Sequence, residues 1–482
     1  MKRTLLFTIC GVMALAFSSC ASDEGNYDYT SIAQPDIQGV EKTYNMEQGE
    51  TLEINPTVSL PQGSSDQDYD YMWFIFKTNS AALPDTLSHE KNLKATVNLA
   101  PSEYDLIYRI TNKQSGLFTQ AKANINVANS YSNGLAVLSD VEGYSNLAFI
   151  NIIDHVTENA YETINGRKGG KGPLGIYYVG GDGTQKMLTI STEDSCYALE
   201  PISMKYLCNF NKEMFYFPSK PGKLQGFAID SWHFTEYVVV DGNVYKRQFW
   251  DEKPVIKFNT KMGGDYKASP CMFANDNTEF IYDMKGRRFL FDNYYDWASL
   301  VGTPDNAYFD ASDMKMDMIW GTCYMPNDED AEVRAVMRDD EGTVWGISGQ
   351  KSLTWGDNYE QYVKLNPTAK VKIDKEGAEN ATCHALSSKD VDFMYFSVGS
   401  KIVCISMKTG NLISTYDLGE NIDCMQFDTN DSPDVLYVGT SDGSKAAKSG
   451  SVFYLKMKSD GSLELQKSFK NICGKVVGFT YK

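Results

Sequence analysis

Hydrophobic and polar residues alternate over short segments along most of the chain, and turn residues separate these segments. An alternation of period two is typical of β-strands that bury one face. From Ser132 onward, no long stretch shows the period of 3.6 residues that an amphipathic helix requires. The pattern therefore predicts an all-β protein.

The first group of strands is predicted between residues 36 and 129. The segments TYNMEQGETLEINPTV, YDYMWFIFK and KATVNLA predict short strands, and YDLIYRITNKQSGLFTQAKANINV predicts a hairpin with its turn at Ser115-Gly116. So many short strands in one region favour a β-sandwich. We expect Trp73, in the aromatic strand, to fill the space between the two sheets.

Residues 130–482 contain seven hairpin patterns with a glycine at each turn. The glycines lie 40, 59, 44, 56, 57 and 44 residues apart, at Gly143, Gly183, Gly242, Gly286, Gly342, Gly399 and Gly443. A four-stranded propeller blade takes roughly 40–50 residues. The recurrence predicts a seven-bladed β-propeller, which the final segment GKVVGFTYK closes by pairing near Leu135. A pair of further β-sandwiches is the alternative architecture.

The first residues of the chain have a different pattern. Lys2 and Arg3 precede an apolar run, and Ser18-Ser19 precede Cys20. This order is typical of an export signal over residues 1–19, and the run is too short for a permanent membrane helix. In the bacterial lipobox pattern the cysteine takes lipid and becomes the first residue of the mature chain. Cys20 is therefore the predicted lipidation site, residues 20–35 form a tether, and an ordinary cleaved signal is the alternative.

Charge narrows the classes of partner. The 482 residues include 63 acidic and 45 basic side chains, which gives a formal net charge of −18. A surface this acidic repels phosphate backbones, so we expect no nucleic-acid binding. Hydrophobic residues make up 42% of the chain, enough for a sizeable core in each domain.

Eight cysteines follow residue 20, and none of them forms a C-x-x-C pair. With only four histidines in the chain, no zinc-binding spacing is present. We expect these cysteines to be mainly buried small hydrophobic residues. Because an exported protein meets an oxidising compartment, one or two disulfides are the alternative, with Cys196–Cys208 as the first candidate.

Motifs for known catalytic chemistry are missing from the sequence. There is no G-x-S-x-G, H-E-x-x-H, phosphate-loop or dinucleotide fingerprint, so we predict no enzymatic activity and no organic cofactor. The segment DTNDSPD has alternating oxygen-bearing side chains. It is a candidate for a structural calcium ion, although it lacks the glycine and the closing glutamate of an EF-hand loop. Its ligands would be Asp428, Asn430, Asp431 and Asp434.

Aromatic residues in loop-like segments are the candidates for ligand binding. Sugars and peptides stack on exposed aromatic rings, while packing between blades is the alternative for each cluster. Trp297 with Tyr294 and Tyr295 is the first choice, because polar residues interrupt that run. Trp320 and Trp345 alternate like core residues of strands. The other candidates are Trp232, His233, Trp250, Trp355 and Tyr359.

Three stretches together resemble one known family. CASDEGNYDY, the module GETLEINPTV…YDYMWFIF…VNLAPSEYDLIYRIT, and SNGLAVLSDVEGYSNLAFI resemble the PKD-like family lipoproteins of Bacteroidota. The resemblance implies an immunoglobulin-like domain followed by a propeller-like region. The turn motif of true PKD domains is replaced here by MWFIFKTNS, so the resemblance predicts a sandwich and no particular ligand.

The resemblance also implies a location and a role. Ser22, Asp23 and Glu24 look like the acidic signal that sends such lipoproteins to the outer face of the outer membrane. Members often accompany SusC/SusD-like nutrient importers, which implies a non-enzymatic accessory subunit that binds a glycan or peptide at the cell surface. The alternatives are a surface propeller enzyme that degrades glycan or peptide, and a purely structural assembly protein.

Overall fold

The structure is a computed structural model, and the chain divides into two compact units. The first unit ends at Ile125 and the second extends from Asn126 to Lys482, while two short segments of the earlier sequence group with the second. The residues that the structure describes are 33–79, 83–96, 99–128, 131–180, 186–216, 222–230, 235–248, 257–259, 261–275, 278–293, 297–324, 332–356, 361–373, 377–386, 392–428 and 432–482.

The described residues up to Ala128 form nine strands. They are β1 (Asp36–Gln38), β2 (Thr43–Glu47), β3 (Thr51–Ile54), β4 (Thr57–Ser59), β5 (Tyr69–Lys77), β6 (Asp85–Ser88), β7 (Leu93–Thr96), β8 (Ser102–Asn112) and β9 (Phe118–Ala128). Five of them form one sheet in the order β2-β9-β8-β5-β6, and two smaller sheets pair β1 with β4 and β3 with β7. The segment YDYMWFIFK is β5, as its aromatic and β-branched composition predicts.

Trp73 occupies the core of the first unit. Its side chain is fully buried, and its ring stacks on that of Tyr108 with 4.1 Å between the ring centroids. The indole N–H donates to the carbonyl oxygen of Glu90 at 3.1 Å, so the one polar atom of the ring is satisfied. The predicted core position of Trp73 is confirmed.

The described residues from Gly134 onward form 27 strands, β10 to β36, and two short α-helices. The helices are α1 (Ala160–Asn165) and α2 (Phe210–Glu213). The strands up to β23 are β10 (Gly134–Val141), β11 (Tyr144–Asn151), β12 (Val156–Thr157), β13 (Pro173–Val179), β14 (Met187–Thr192), β15 (Cys196–Leu199), β16 (Tyr206–Asn209), β17 (Leu224–Asp230), β18 (Thr235–Val240), β19 (Asn243–Gln248), β20 (Ala268–Asn275), β21 (Thr278–Asp283), β22 (Arg288–Asp292) and β23 (Ala298–Leu300). The remaining strands are β24 (Met316–Tyr324), β25 (Glu332–Asp339), β26 (Val344–Trp355), β27 (Gln361–Lys372), β28 (His384–Leu386), β29 (Phe393–Val398), β30 (Lys401–Ser406), β31 (Leu412–Asp417), β32 (Ile422–Phe427), β33 (Val435–Ser441), β34 (Gly450–Met457), β35 (Leu463–Cys473) and β36 (Lys475–Tyr481).

These strands form seven antiparallel sheets among the described residues. Sheet one has the order β12-β11-β10-β36, and sheets two to seven contain β13–β16, β17–β19, β20–β23, β24–β27, β28–β31 and β32–β35. The last strand pairs with the first strand of the unit, with Leu135 opposite Tyr481 and Val137 opposite Phe479. The closing pairing predicted for GKVVGFTYK is therefore confirmed.

Apolar clusters join the sheets into a closed ring. Each of seven clusters contains side chains from two consecutive sheets; Phe273 and Val333, for example, lie in the cluster between sheets four and five. Five more clusters link the other consecutive pairs in the same way. The seventh joins sheet seven to sheet one and contains Val435 and Leu135. This circular order confirms the predicted β-propeller and does not fit a pair of further sandwiches.

Two hairpin turns show how the sequence pattern relates to the backbone. Gly143 joins β10 to β11 with φ of 86°, a conformation that residues other than glycine rarely adopt. The turn between β21 and β22 uses a different residue. There Arg287 takes the left-handed position with φ of 50°, and Gly286 does not. The turn was predicted at the right place, but the residue with positive φ lies one position later.

The eight cysteines of the described residues are free thiols. Cys196 and Cys208, the first candidates for a disulfide, lie in the same apolar cluster between sheets two and three. Burial raises the pKa of Cys208 to about 11, so the thiol is protonated at neutral pH. The prediction of small buried hydrophobic residues describes these two side chains, and the disulfide alternative does not.

Candidate functional site

The innermost strands of the propeller surround a cavity of about 510 Å³, which we call the axial cavity. Six of the seven sheets contribute to its wall through β13, β17, β20, β24, β28 and β32. The side chains that define it are Tyr177, Gln225, Phe227, Cys271, Met272, Trp320, Thr322, Cys323, His384, Leu386, Met425, Gln426 and Phe427. The cavity volume falls within the range of about 300–1,000 Å³ that is usual for small-molecule sites.

Irregular strand pairing helps to direct side chains into the axial cavity. Register shifts occur in β13, β17, β20, β24, β32 and β36 where each pairs with its neighbour in the same sheet. In β24 the shift lies between Met318 and Trp320, so Ile319 is the extra residue. A β-bulge of this kind bends the strand and changes the face to which the following side chains point. Trp320 follows the bulge directly and lines the cavity.

A glycine allows two neighbouring innermost strands to approach closely. A Cβ atom at Gly226 in β17 would lie 2.1 Å from the carbonyl oxygen of Pro270 in β20. No real side chain tolerates that distance to a backbone atom. Only glycine therefore permits this approach between sheets three and four, where both strands line the axial cavity.

Trp320 and His384 form a stacked pair in the wall of the axial cavity. Their ring centroids are 6.3 Å apart and their planes differ by 22°. Trp320 is half-buried and packs against the apolar cluster of sheets five and six, while His384 is 8% exposed. The ring of Phe396 lies 6.4 Å from the imidazole on another side. The pair therefore presents a rigid aromatic surface that still has access to the cavity.

The imidazole of His384 is held in its neutral form. Burial is the main cause, and the positive charge of Arg338 adds to it; together they lower the pKa of His384 to about 4. A neutral imidazole carries one N–H donor and one nitrogen acceptor. His384 is therefore suited to hydrogen bonding at neutral pH and not to ion pairing.

Hydrogen bonds fix part of the polar wall on the side of sheets two and three. The hydroxyl of Tyr177 donates to the carbonyl oxygen of Gln225 at 2.9 Å, across the boundary between β13 and β17. The Gln225 side-chain oxygen accepts the N–H of Gly242 at 2.8 Å. Burial raises the pKa of Tyr177 well above its ordinary value, so its hydroxyl is protonated. Thr322 and Gln426 add a further hydroxyl and amide to the lining.

Two of the sequence-predicted aromatic residues lie away from the axial cavity. Trp297 directly precedes β23 and is 56% exposed; its ring covers Gly263, where a Cβ would lie 2.3 Å from a ring carbon. Trp355 ends β26 opposite Gln361 and is 58% exposed. Neither residue lines the axial cavity. Both remain surface candidates for stacking, and the structure does not place them with the Trp320–His384 pair.

The other predicted site residues lie largely outside the described residues. These are Cys20, Ser22, Asp23, Glu24, Trp232, His233, Trp250, Tyr294, Tyr295, Tyr359, Asn430 and Asp431. Of the calcium candidates, Asp428 is buried and accepts a hydrogen bond from the Tyr437 hydroxyl at 2.8 Å, and Asp434 lies 3.9 Å from the Lys456 ammonium. In the described ranges, no group of three or more His, Cys, Asp or Glu side chains is placed to hold a metal ion.

A second recess, of about 610 Å³, lies among the loops of sheets six and seven. Hydroxyl and amide side chains dominate its lining, and none of its described lining residues is aromatic. Its acidic Glu420 already accepts the Thr440 hydroxyl at 2.7 Å and is paired with Lys470. The axial cavity is the stronger candidate because it combines an aromatic surface with polar groups.

Comparisons with known proteins agree with the N-terminal part of this description. Residues 20–173 match the model of the PKD-like family. That region includes all nine strands before the propeller and continues to the start of β13, and it is less than half of the chain. A search of curated proteins finds no match. Neither helix in the described part of the chain approaches the length and hydrophobicity that a bilayer span requires.

Several solved structures show distant similarity to the chain. A quinonprotein alcohol dehydrogenase-like protein from Bacteroides thetaiotaomicron VPI-5482 is 14% identical with a TM-score of 0.42; the alignment covers 94% of this chain and 100% of that one. The Cps50 (Swd1) β-propeller domain of Myceliophteria thermophila is 9% identical with a TM-score of 0.40, covering 64% and 94%. The extracellular domain of a one component system from B. thetaiotaomicron is 10% identical with a TM-score of 0.31, covering 86% and 70%. At these scores the fold assignment rests on the sheet pairing described above, and the ligands of those proteins carry no argument here.

Sequence reasoning missed the central members of the site. The sequence pattern predicts that Trp320 is a core residue, and its ring does pack against an apolar cluster. The ring also lines the cavity, which the pattern does not predict. His384 is not among the predicted site residues. The signal that points to Trp320 is the unusual innermost-strand segment MIWGTCY, in which an aromatic ring sits beside glycine and small polar residues.

Proposed function

We propose that this protein is a non-enzymatic binding protein at the surface of a bacterial cell, which holds a glycan or peptide in its axial cavity as an accessory subunit of a nutrient importer. The observation that carries the proposal is the axial cavity itself. Its wall combines the stacked Trp320–His384 pair with neutral hydrogen-bonding groups from several sheets. Aromatic surfaces with a few placed polar groups are typical of sites that bind small molecules or ends of polymers.

The chemistry of the lining favours binding over catalysis. General acid–base catalysis requires a group whose pKa lies near the working pH. The pKa of His384 is about 4, and burial raises those of Tyr177 and Cys271 above their ordinary values. Each of these groups keeps one protonation state at neutral pH. The described lining therefore supports recognition and not proton transfer.

The proposed location rests on the sequence of the N-terminal segment. Lipidation at Cys20 anchors the chain to the outer membrane, and Ser22, Asp23 and Glu24 direct it to the outer face. The match of residues 20–173 to the PKD-like family supports the family resemblance from which this assignment comes. A SusC/SusD-like importer is the proposed partner in the membrane.

Binding isotherms of the purified protein with oligosaccharide and peptide mixtures test the role of the axial cavity. The Trp320→Ala variant should bind a retained ligand at least about fivefold more weakly, since one lost stacking partner is worth on the order of 1 kcal/mol or more. Tyr308→Ala is the control, because that aromatic residue is 66% exposed, lies outside the cavity and is not a predicted binding residue. Equal affinity of Trp320→Ala and wild type would overturn the assignment, and release of smaller products from the ligand would overturn the non-enzymatic role.

The anchoring is tested separately in cells. Metabolic labelling with a radioactive fatty acid should mark the wild-type chain and leave Cys20→Ala unlabelled. Protease added to intact cells should degrade the labelled protein. Equal labelling of both chains would contradict lipidation at Cys20, and protection from protease would contradict exposure at the outer face.

A further inference from the structure

The described wall of the axial cavity contains no charged side chain, although the protein is strongly acidic. The chain carries a formal net charge of −18, with 63 acidic and 45 basic residues. Within the described residues, no Asp, Glu, Lys or Arg lines the axial cavity. The second recess contrasts with it, because Glu420, Asp442 and Lys470 all contribute to that lining. Neutrality is therefore a property of the axial cavity and not of the surface recesses in general.

Arg338, whose charge acts on the pKa of His384, does not supply a positive charge to the cavity wall. Arg338 acts on the pKa of His384, but it does not line the cavity, and its guanidinium donates to the carbonyl oxygen of Glu379 at 2.6 Å. His384 itself is buried and neutral, so it offers no positive charge to an acidic ligand. A carboxylate or ammonium that entered the cavity would lose water without gaining a charged partner. Burying an unpaired charge in this way is strongly unfavourable.

The neutral groups of the lining match hydroxyl groups well. The Gln426 side-chain amide contains both a donor and an acceptor group, and the hydroxyl of Thr322 can play either role. The Gln225 amide adds its N–H donors, because its oxygen already accepts the N–H of Gly242. Sugar hydroxyls also donate and accept, and the C–H face of a sugar ring stacks on an indole. Trp320 lines the cavity beside these groups. A purely apolar ligand would leave the amide and hydroxyl groups without partners, which costs free energy.

We infer that the axial cavity selects an uncharged saccharide and rejects saccharides and peptides that carry a charge at the bound position. This inference rests on the proposed function, since it names the ligand class of the same cavity. The selectivity follows from the missing counter-charge, while the affinity comes from the tryptophan face and the neutral hydrogen-bonding groups.

Paired probes that differ only in charge give the test. Short gluco-, manno- and galacto-oligosaccharides are titrated into the full-length protein by calorimetry, and each neutral probe is compared with its counterpart oxidised at C6 to the uronate. Capped peptides without charge and the same peptides with free termini complete the panel. We expect at least one neutral oligosaccharide to bind, and its oxidised counterpart to bind about tenfold more weakly or worse. Trp320→Ala should lose the neutral oligosaccharide, and Tyr308→Ala, at an exposed residue outside the cavity, should retain it.

The outcomes separate the two claims. Tighter binding of an oxidised oligosaccharide, or binding of capped peptides with no oligosaccharide bound, would overturn the inference and leave the proposed binding function in place. Binding of a neutral oligosaccharide that Trp320→Ala does not change would also overturn it, because the ligand would then lie outside the axial cavity. If no member of the panel binds, the proposed function itself is contradicted.

Discussion

Acid should destabilise the propeller through His384 in a way that can be calculated from the structure. The imidazole is buried between Trp320 and Phe396, and its pKa falls from 6.5 to about 4 on folding. Between these two values the unfolded chain binds a proton at this residue and the folded chain does not. The contribution of the neutral His384 imidazole to the free energy of unfolding is therefore complete above pH 6.5, and it is lost as the pH falls towards 4.

The magnitude follows from the two pKa values. One tenfold change in proton affinity is worth about 1.4 kcal/mol, so the full effect of this side chain is about 3 kcal/mol. This is a large fraction of the free energy of unfolding of a typical protein, which is about 5–15 kcal/mol. The His384→Gln variant keeps a polar side chain of similar size and has no group that titrates in this range.

Urea unfolding of wild type and His384→Gln at pH 7.5 and pH 4 measures the effect. Each chain loses stability in acid through its carboxylates, but that loss is common to both and cancels in the difference. We expect the stability difference between wild type and variant to change by about 3 kcal/mol between the two pH values, in the direction that makes wild type relatively weaker in acid. Gln426→Ala, a non-titrating change in the same cavity, should show no such change. A difference for His384→Gln that stays constant within error would refute the reasoning.

Three further predictions follow from packing. Gly226→Ala should lower the free energy of unfolding by about 2 kcal/mol or more in a urea titration, because the new Cβ would overlap the carbonyl oxygen of Pro270. Gly478→Ala is the control and should change the free energy of unfolding little, because the nearest atom to its new Cβ is 3.6 Å away. Phe479→Ala in the closing strand should lower the free energy of unfolding, measured by chemical denaturation, by about 3–5 kcal/mol, because Phe479 is buried. Leu465→Ala is the control and should lower it by less than about 1 kcal/mol, because Leu465 is half-exposed. Equal losses would contradict a buried closing strand. The eight cysteines of the described residues should all be alkylated after denaturation without reductant, as counted by intact mass; a pair that resists would reveal a disulfide.

Local patterning predicted most of the strands because their signals are short-range. The segment LAVLSDVEGYSNLAFINI, predicted as a hairpin, forms β10 and β11 around Gly143. The segment VLYVGTSDGSKAAKSGSVFYLKM likewise forms β33 and β34. Most of these hairpins form the middle strands of their sheets. Such strands either bury side chains on both faces or alternate regularly between buried and exposed side chains. The closing pair of β36 with β10 was also predictable, because a propeller ring requires one such pairing.

The binding site was harder to predict because the innermost strands break the regular alternation. The bulge at Ile319 shifts the face to which Trp320 points, so a period of two assigns that ring to the core. The wall of the axial cavity also joins residues as distant in sequence as Tyr177 and Phe427. Only the closed ring of sheets brings them together. The exposed Trp297 and Trp355 gave a stronger local signal than the residues that line the cavity.

The most direct test of the account is a crystal structure of the protein with the neutral oligosaccharide that binds it. The account predicts electron density for a sugar ring in the axial cavity, stacked on Trp320 and within hydrogen-bonding distance of the neutral side chains of the wall. Density on the exposed rings of Trp297 or Trp355, with an empty axial cavity, would contradict it.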